Sequence, residues 1–314
     1  MPSYLTILSA TLPVFIVMGI GFLFHRRHWV SEEVEVGMMK LGLTLLFPCY
    51  IVSIIPGNPA LATVSSAAWA IGMGFVIILC GFGLAWMVAT LGRIKKGEGL
   101  RTFTIASGIQ NYGFVALPII IEIFPDNPGP KGLVFVHGVG VEIAMWTIGL
   151  AILRGRADFR SIINGPFIAV VTGLFLNYTG LYKFIPEIVT TVLEMLGACA
   201  IPMAIFMIGA TIGRYFERDI LIDAFRVSLL SVLVRLCLST ILILCMVKFL
   251  PLPDDLKRLL VVQAAMPAAI FPIVLARLYG GQPQVAIQVV VATSVVGMIT
   301  APLVIAWGLG WVNL

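Results

Sequence analysis

The chain has 314 residues, 60% of them hydrophobic and 11% charged, with a formal net charge of +5. A mean hydropathy of +1.07 with so little charge excludes an ordinary soluble domain, in which about a quarter of residues are charged. No basic tract exceeds two or three residues and the cations sit in short gaps between apolar runs, so the positive balance marks membrane orientation and not a nucleic-acid partner.

From the N-terminus onward, the apolar runs predict ten membrane spans, at about 4–24, 36–55, 66–91, 100–124, 132–153, 165–180, 188–212, 224–250, 256–279 and 284–311. The first lacks a cationic leader and is followed by His25-Arg26-Arg27-His28, so it reads as a retained span and not a cleaved signal peptide. Cys49, Cys80, Cys199, Cys237 and Cys245 all fall inside apolar runs without CxxC or histidine spacing. That is the pattern of small buried hydrophobes, and no metal site is expected. Arg26, Arg27, Arg93, Lys95, Lys96, Arg101, Arg154, Arg156, Arg160, Arg214, Arg218, Arg226 and Arg277 fall on one side of this layout. Only Lys131, Lys183, Lys248, Lys257 and Arg258 fall on the other. The positive-inside rule then puts the first set in the cytoplasm and both termini outside.

The prolines reveal a repeat. Pro48 and Pro202 lie in spans 2 and 7, 154 residues apart (202 − 48), and Pro118 and Pro272 lie in spans 4 and 9 at the same offset (272 − 118). Pro13 and Pro166, in spans 1 and 6, differ by 153 (166 − 13). Halves 1–155 and 156–314 then hold five spans each. An odd number makes the second half enter from the opposite side, which is an inverted repeat. The expected fold is therefore an all-α integral membrane protein of two inverted five-helix repeats.

Span 4 breaks the rules for a plain spanning helix. Gln110 and Asn111 place two amides near mid-membrane, Gly113 loosens the backbone, and Pro118 withholds an N–H from the Phe114 carbonyl. Freed backbone groups cost several kcal/mol each in hydrocarbon unless they face protein or a wet cavity. A Pro/Gly-interrupted span with polar groups at its break is how transporters build a binding site. Span 9 repeats the pattern at Gln263-Ala264-Ala265-Met266-Pro267-Ala268-Ala269-Ile270-Phe271-Pro272.

The stretch Gln110-Asn111-Tyr112-Gly113-Phe114-Val115-Ala116-Leu117-Pro118 resembles the Asn-containing crossover of the auxin efflux carrier family, which includes plant PIN carriers and bacterial permeases. Residues 262–280 resemble that family's ninth span over nearly its whole length. The resemblance implies a bile/arsenite/riboflavin-transporter-like fold. Spans 1, 2, 6 and 7 would form a scaffold, spans 3–5 and 8–10 a mobile transport domain, and broken spans 4 and 9 would cross near the midplane. It also implies a homodimer, and export. The chain departs from plant PIN carriers in lacking a long hydrophilic 5–6 loop, the gap here being about a dozen residues. Such a short-looped chain fits a bacterial inner membrane.

Two half-helix N-termini at a crossover, each worth about +0.5 charge, can hold a carboxylate without a buried cation, which would be costlier to place in the membrane. The candidate substrate-binding residues are Asn111, as amide donor, with Gln110, Tyr112, Gly113, Pro118, Gln263, Met266, Pro267 and Pro272. Asn111 has a competing reading as interhelical glue. Phe47, Pro48, Cys49, Tyr50, Pro202, Met203 and Phe206 are candidate scaffold walls. Ionisable residues inside spans are functional suspects by default. Glu142 is read either as a coupling-proton carrier or as the charge partner of Arg235, while His137 is placed at the interface. No HExxH, GxSxG or Asp-rich diphosphate motif is present, so an enzyme is not expected; nor is there a ring of charge or a carbonyl filter for a channel. The reading is a secondary transporter of a small organic anion, a carboxylate above all, with elevator-like access, the lipid bilayer as its surroundings and no cofactor. Coupling to H⁺ or Na⁺ is not encoded in any motif. Aromatic acids, dicarboxylates and amino acids all remain open as substrates. The alternative is a transporter-like sensor that binds a small acid without flux.

Overall fold

The computed structural model describes residues 4–215 and 225–314, so Arg218 of the orientation set lies outside the described residues. Among the described residues seven helices are long and apolar enough to cross a membrane: α1 (Tyr4–Arg26), α2 (Glu32–Ile54), α3 (Val64–Leu91), α6 (Gly129–Arg154), α8 (Glu187–Tyr215), α9 (Phe225–Phe249) and α12 (Pro283–Val312). A shorter apolar helix, α7 (Gly165–Thr179), lies among them. The runs at 100–124 and 256–279 are each split into two short helices. They are α4 (Leu100–Gly108) with α5 (Ala116–Ile123), and α10 (Asp254–Ala264) with α11 (Phe271–Leu278). This is a multi-pass, all-helical membrane protein.

The prolines act where the sequence places them, and each break is local. In α2 a π-helical stretch, Gly42–Leu46, precedes Pro48. Widening the turn there absorbs the N–H that proline cannot donate. In α8 the helix ends at Ala198 and restarts at Ala200, which puts Pro202 in a first turn, where no N–H is required. Further π stretches lie at Met145–Gly149 in α6 and Leu233–Leu238 in α9, the second containing Arg235.

Glycines bring two helix pairs to backbone contact. A Cβ on Gly21 of α1 would overlap the Phe206 carbonyl of α8, and one on Gly209 of α8 would overlap the Met18 carbonyl of α1. In α3 and α6 the same reciprocity joins Gly74 to the His137 carbonyl and Gly140 to the Ile71 carbonyl. Between helices in lipid, where the partner medium is as apolar as leucine, such close approach supplies the packing that holds them together. Polar links add to the first pair: Arg214 of α8 binds Glu32 at 2.7 Å and also Glu35, and His25 of α1 meets Glu35 at 2.5 Å.

The short connection between α6 and α7 packs along α6. The Asp158 N–H donates to the Trp146 carbonyl at 2.9 Å, so the chain folds back along α6 as a strap. Asn164 then caps α7 by accepting the Phe167 N–H at 2.9 Å. The expectation of uniformly buried cysteines needs correction: Cys49 is buried, but Cys199 and Cys237 are exposed on the protein's surface. A small apolar thiol costs little to face lipid.

Candidate functional site

The two helix breaks are joined to each other. After Gly108 the backbone turns extended at Ile109, and Gln110 forms an antiparallel bridge with Ala268. The Asn111 N–H donates to the Pro267 carbonyl at 2.8 Å, and the Ala269 N–H donates to the Ile109 carbonyl at 2.9 Å. Backbone groups stripped of helical partners by Gly and Pro thus satisfy one another deep inside the protein. The Thr240 hydroxyl of α9 donates to the Ala264 carbonyl at 2.7 Å, and the Ala268 N–H donates to Thr293 Oγ1 of α12 at 3.1 Å.

From this crossing α5 and α11 lead away, so both start their helical dipoles there. Asn111, 4% exposed, accepts the Val115 N–H on Oδ1 at 3.3 Å, in the turn that leads into α5. That leaves its Nδ2 as the donor able to meet a ligand. Pro118 is the third residue of α5 and Pro272 the second of α11. A missing N–H costs nothing in a first turn. The expected loss at the Phe114 carbonyl therefore does not arise, because Phe114 lies ahead of the helix. Pro118→Ala should change unfolding free energy by less than about 1 kcal/mol, against roughly 3 kcal/mol for a proline in a helix interior, as read by thermal unfolding in detergent.

The remaining crossover candidates divide by environment. Gln263 Nε2 donates to the Tyr112 carbonyl at 3.3 Å and lies 3.5 Å from His137 Nδ1. Gln110 is fully buried and neither of its amide atoms has a hydrogen-bond partner among the described residues. Met266 and Pro267 are buried within the crossing, while Tyr112, Gly113 and Pro118 keep partial access. Pro267 packs on Gly297 of α12.

The scaffold candidates separate as well. Phe47 stacks near Phe114 at 5.2 Å and Phe135 at 6.3 Å, and Tyr50 meets Phe135 at 5.9 Å. This aromatic group faces the crossover. Pro48 packs instead against Gly165 of α7, and Met203 against Gly42 of α2. Pro202 is exposed, and the Phe206 ring lies on Phe24 of α1 at 5.4 Å.

Two further expectations are corrected. His137 is not interfacial: it is 0% exposed and sits between Gln263 and the Tyr112 ring, whose centroid is 6.3 Å away. Glu142 and Arg235 form no ion pair. Glu142 Oε2 accepts from Asn164 Nδ2 at 2.6 Å. Arg235 is 0% exposed, and its Nε and Nη2 have no partner among the described residues. Sequence reasoning did not single out Phe135, Thr293 or Asn164. For Asn164 the signal was present, since Asn-Gly-Pro is a helix-start signature.

The model of the membrane transport protein family matches residues 6–162 and again 157–305. The chain belongs to this family of auxin efflux carrier-like transporters. An "Uncharacterized transporter" of Methanothermobacter thermautotrophicus is 28% identical to it over 185 residues, 55% of this chain. The matched stretch spans 56% of that relative's own length. Membership in a transporter family points away from catalysis.

Proposed function

We propose that this transporter carries a small organic anion, a carboxylate in class, by elevator-like alternating access about the crossed breaks. The observation that carries the reading is the convergence of two helix N-termini, α5 and α11, on a backbone-paired crossing that also holds the Asn111 amide. Helix N-termini favour an anion, and together they supply positive potential without a cation in lipid. A ten-span inverted repeat, with halves 1–155 and 156–314, is the layout proposed. Its scaffold would be α1, α2, α7 and α8, and its moving body α3–α6 with α9–α12. The packing of α1 along α8, and of α3 along α6, supports that division. The aromatic group of Phe47, Tyr50, Phe114 and Phe135 lies where the two bodies meet and would form the apolar wall for the substrate's body. Both termini outside, a bacterial inner membrane and a homodimer complete the proposal.

The test is thermal stabilisation of the purified protein across a panel of carboxylic acids, in parallel on Asn111→Asp. Aspartate matches asparagine in shape and still accepts the Val115 N–H, but sets a negative charge against an incoming carboxylate. The variant should fold as the parent does and lose at least 100-fold in apparent affinity. Unchanged affinity would remove the crossover from the reading.

A further inference from the structure

The Glu142 carboxyl is held at the start of α7. Asn164, which begins α7, must point its oxygen at the Phe167 N–H, where it accepts at 2.9 Å. Its NH₂ is therefore the group on Glu142 Oε2, at 2.6 Å. This fixes the orientation of the amide and makes Glu142 the acceptor. Tyr112, from the crossover, lies beside the carboxyl. Finally, α7 starts at Asn164, so its positive helix end faces the same group. The Asn164 bond is strong while the carboxylate is charged, because a hydrogen bond to a charged acceptor is roughly twice as strong as one to a neutral acceptor.

Among the described residues no opposite charge pairs with the carboxyl. Along α3, Val64–Leu91 contains no acid or base. The charges of α10, Asp254, Asp255, Lys257 and Arg258, cluster in its first two turns at the helix's far end. Glu122 of α5 and Lys40 of α2 are exposed. In the strap, Arg154 pairs with Asp158 at 3.6 Å and Arg160 is exposed. On α6 itself His137 turns to Gln263, and of α7's side chains only Asn164 reaches the carboxyl.

We propose that Glu142 is a proton-binding site of this transporter, and that protonation there releases α7 and the 155–164 strap from α6 and the crossover. The claim rests on the division into two bodies given above, since α6 belongs to one and α7 to the other. Relative travel of the bodies must break the Glu142–Asn164 bond. Taking up a proton removes the charge that makes the bond strong, with one proton bound per release and none consumed. The ligand of the site is H⁺ itself.

The experiment needs no identified substrate. Backbone hydrogen exchange of residues 156–170 is followed in the purified full-length protein at pH 5 and pH 8, corrected for intrinsic exchange, with Glu142→Gln and Asn164→Ser alongside. The parent should exchange at least tenfold faster at pH 5 than at pH 8. Glu142→Gln should exchange at the faster rate at both values. Asn164→Ser keeps a cap for α7 and cannot reach Glu142, so it too should lose the pH dependence. A parent whose exchange is the same at both pH values overturns the proposal, as does either variant that retains the pH response. Failure of every carboxylate in the panel would count against the substrate class and leave this result standing. A pH-independent strap beside a carboxylate hit would do the reverse.

Discussion

Gly140→Leu is expected to eliminate the folded transporter. A Cβ at that position overlaps the Ile71 carbonyl oxygen and comes within 2.8 Å of the Phe75 nitrogen. Both are backbone atoms of α3, so no rotamer change makes room and the helices must separate. Overpacking ordinarily costs about 1–3 kcal/mol. Here the reciprocal contact at Gly74 opens at the same time, and the change should exceed about 3 kcal/mol. The measurement is the yield of monodisperse protein in detergent and its unfolding temperature. Gly72→Ala on α3, where an added Cβ meets nothing within 4 Å, should behave as the parent. Parent-like unfolding of Gly140→Leu would mean that α3 and α6 are not in backbone contact.

Arg235→Met should act in the opposite direction, raising the unfolding free energy by about 1–4 kcal/mol, the range seen when buried charges give way to apolar residues of similar size. The guanidinium is 0% exposed, two of its nitrogens lack partners among the described residues, and it has no acidic side chain beside it there. A charge kept in the membrane at such a cost is a functional suspect. The companion expectation is that Arg235→Met, though more stable, loses the ligand-induced stabilisation shown by the parent. A fall in unfolding temperature would instead mean that the guanidinium is satisfied in the folded protein.

The long helices were legible because their apolar runs exceed what any buried soluble helix needs. The runs at 66–91 and 284–311 appear as Val64–Leu91 and Pro283–Val312. The breaks were legible too, since Gly113, Pro118, Pro267 and Pro272 contradict a continuous helix. What joins them was not: nothing local in Ile109-Gln110-Asn111 names Pro267 and Ala269 as its partners. His137 was misplaced because nearness to a span end was taken for nearness to water, whereas the phase of α6 turns it to Gln263. The strap was missed because polar residues such as Asp158 and Ser161 satisfy one another locally and so need no solvent. Glu142 drew attention correctly as an intramembrane acid, but its partner is an amide from the next helix and not a distant arginine.

The pairing of the two breaks also has a history in time. Gln110 and Ala268 are 158 residues apart (268 − 110). At a synthesis rate of roughly 5–20 residues per second, the first break is made about 8–30 seconds before its partner exists. Through that interval the Ile109 carbonyl and the Asn111 N–H lie open in a half-built bundle. A chain stalled in its second half would carry that open edge, making it a natural mark by which membrane quality control could tell an unfinished transporter from a finished one.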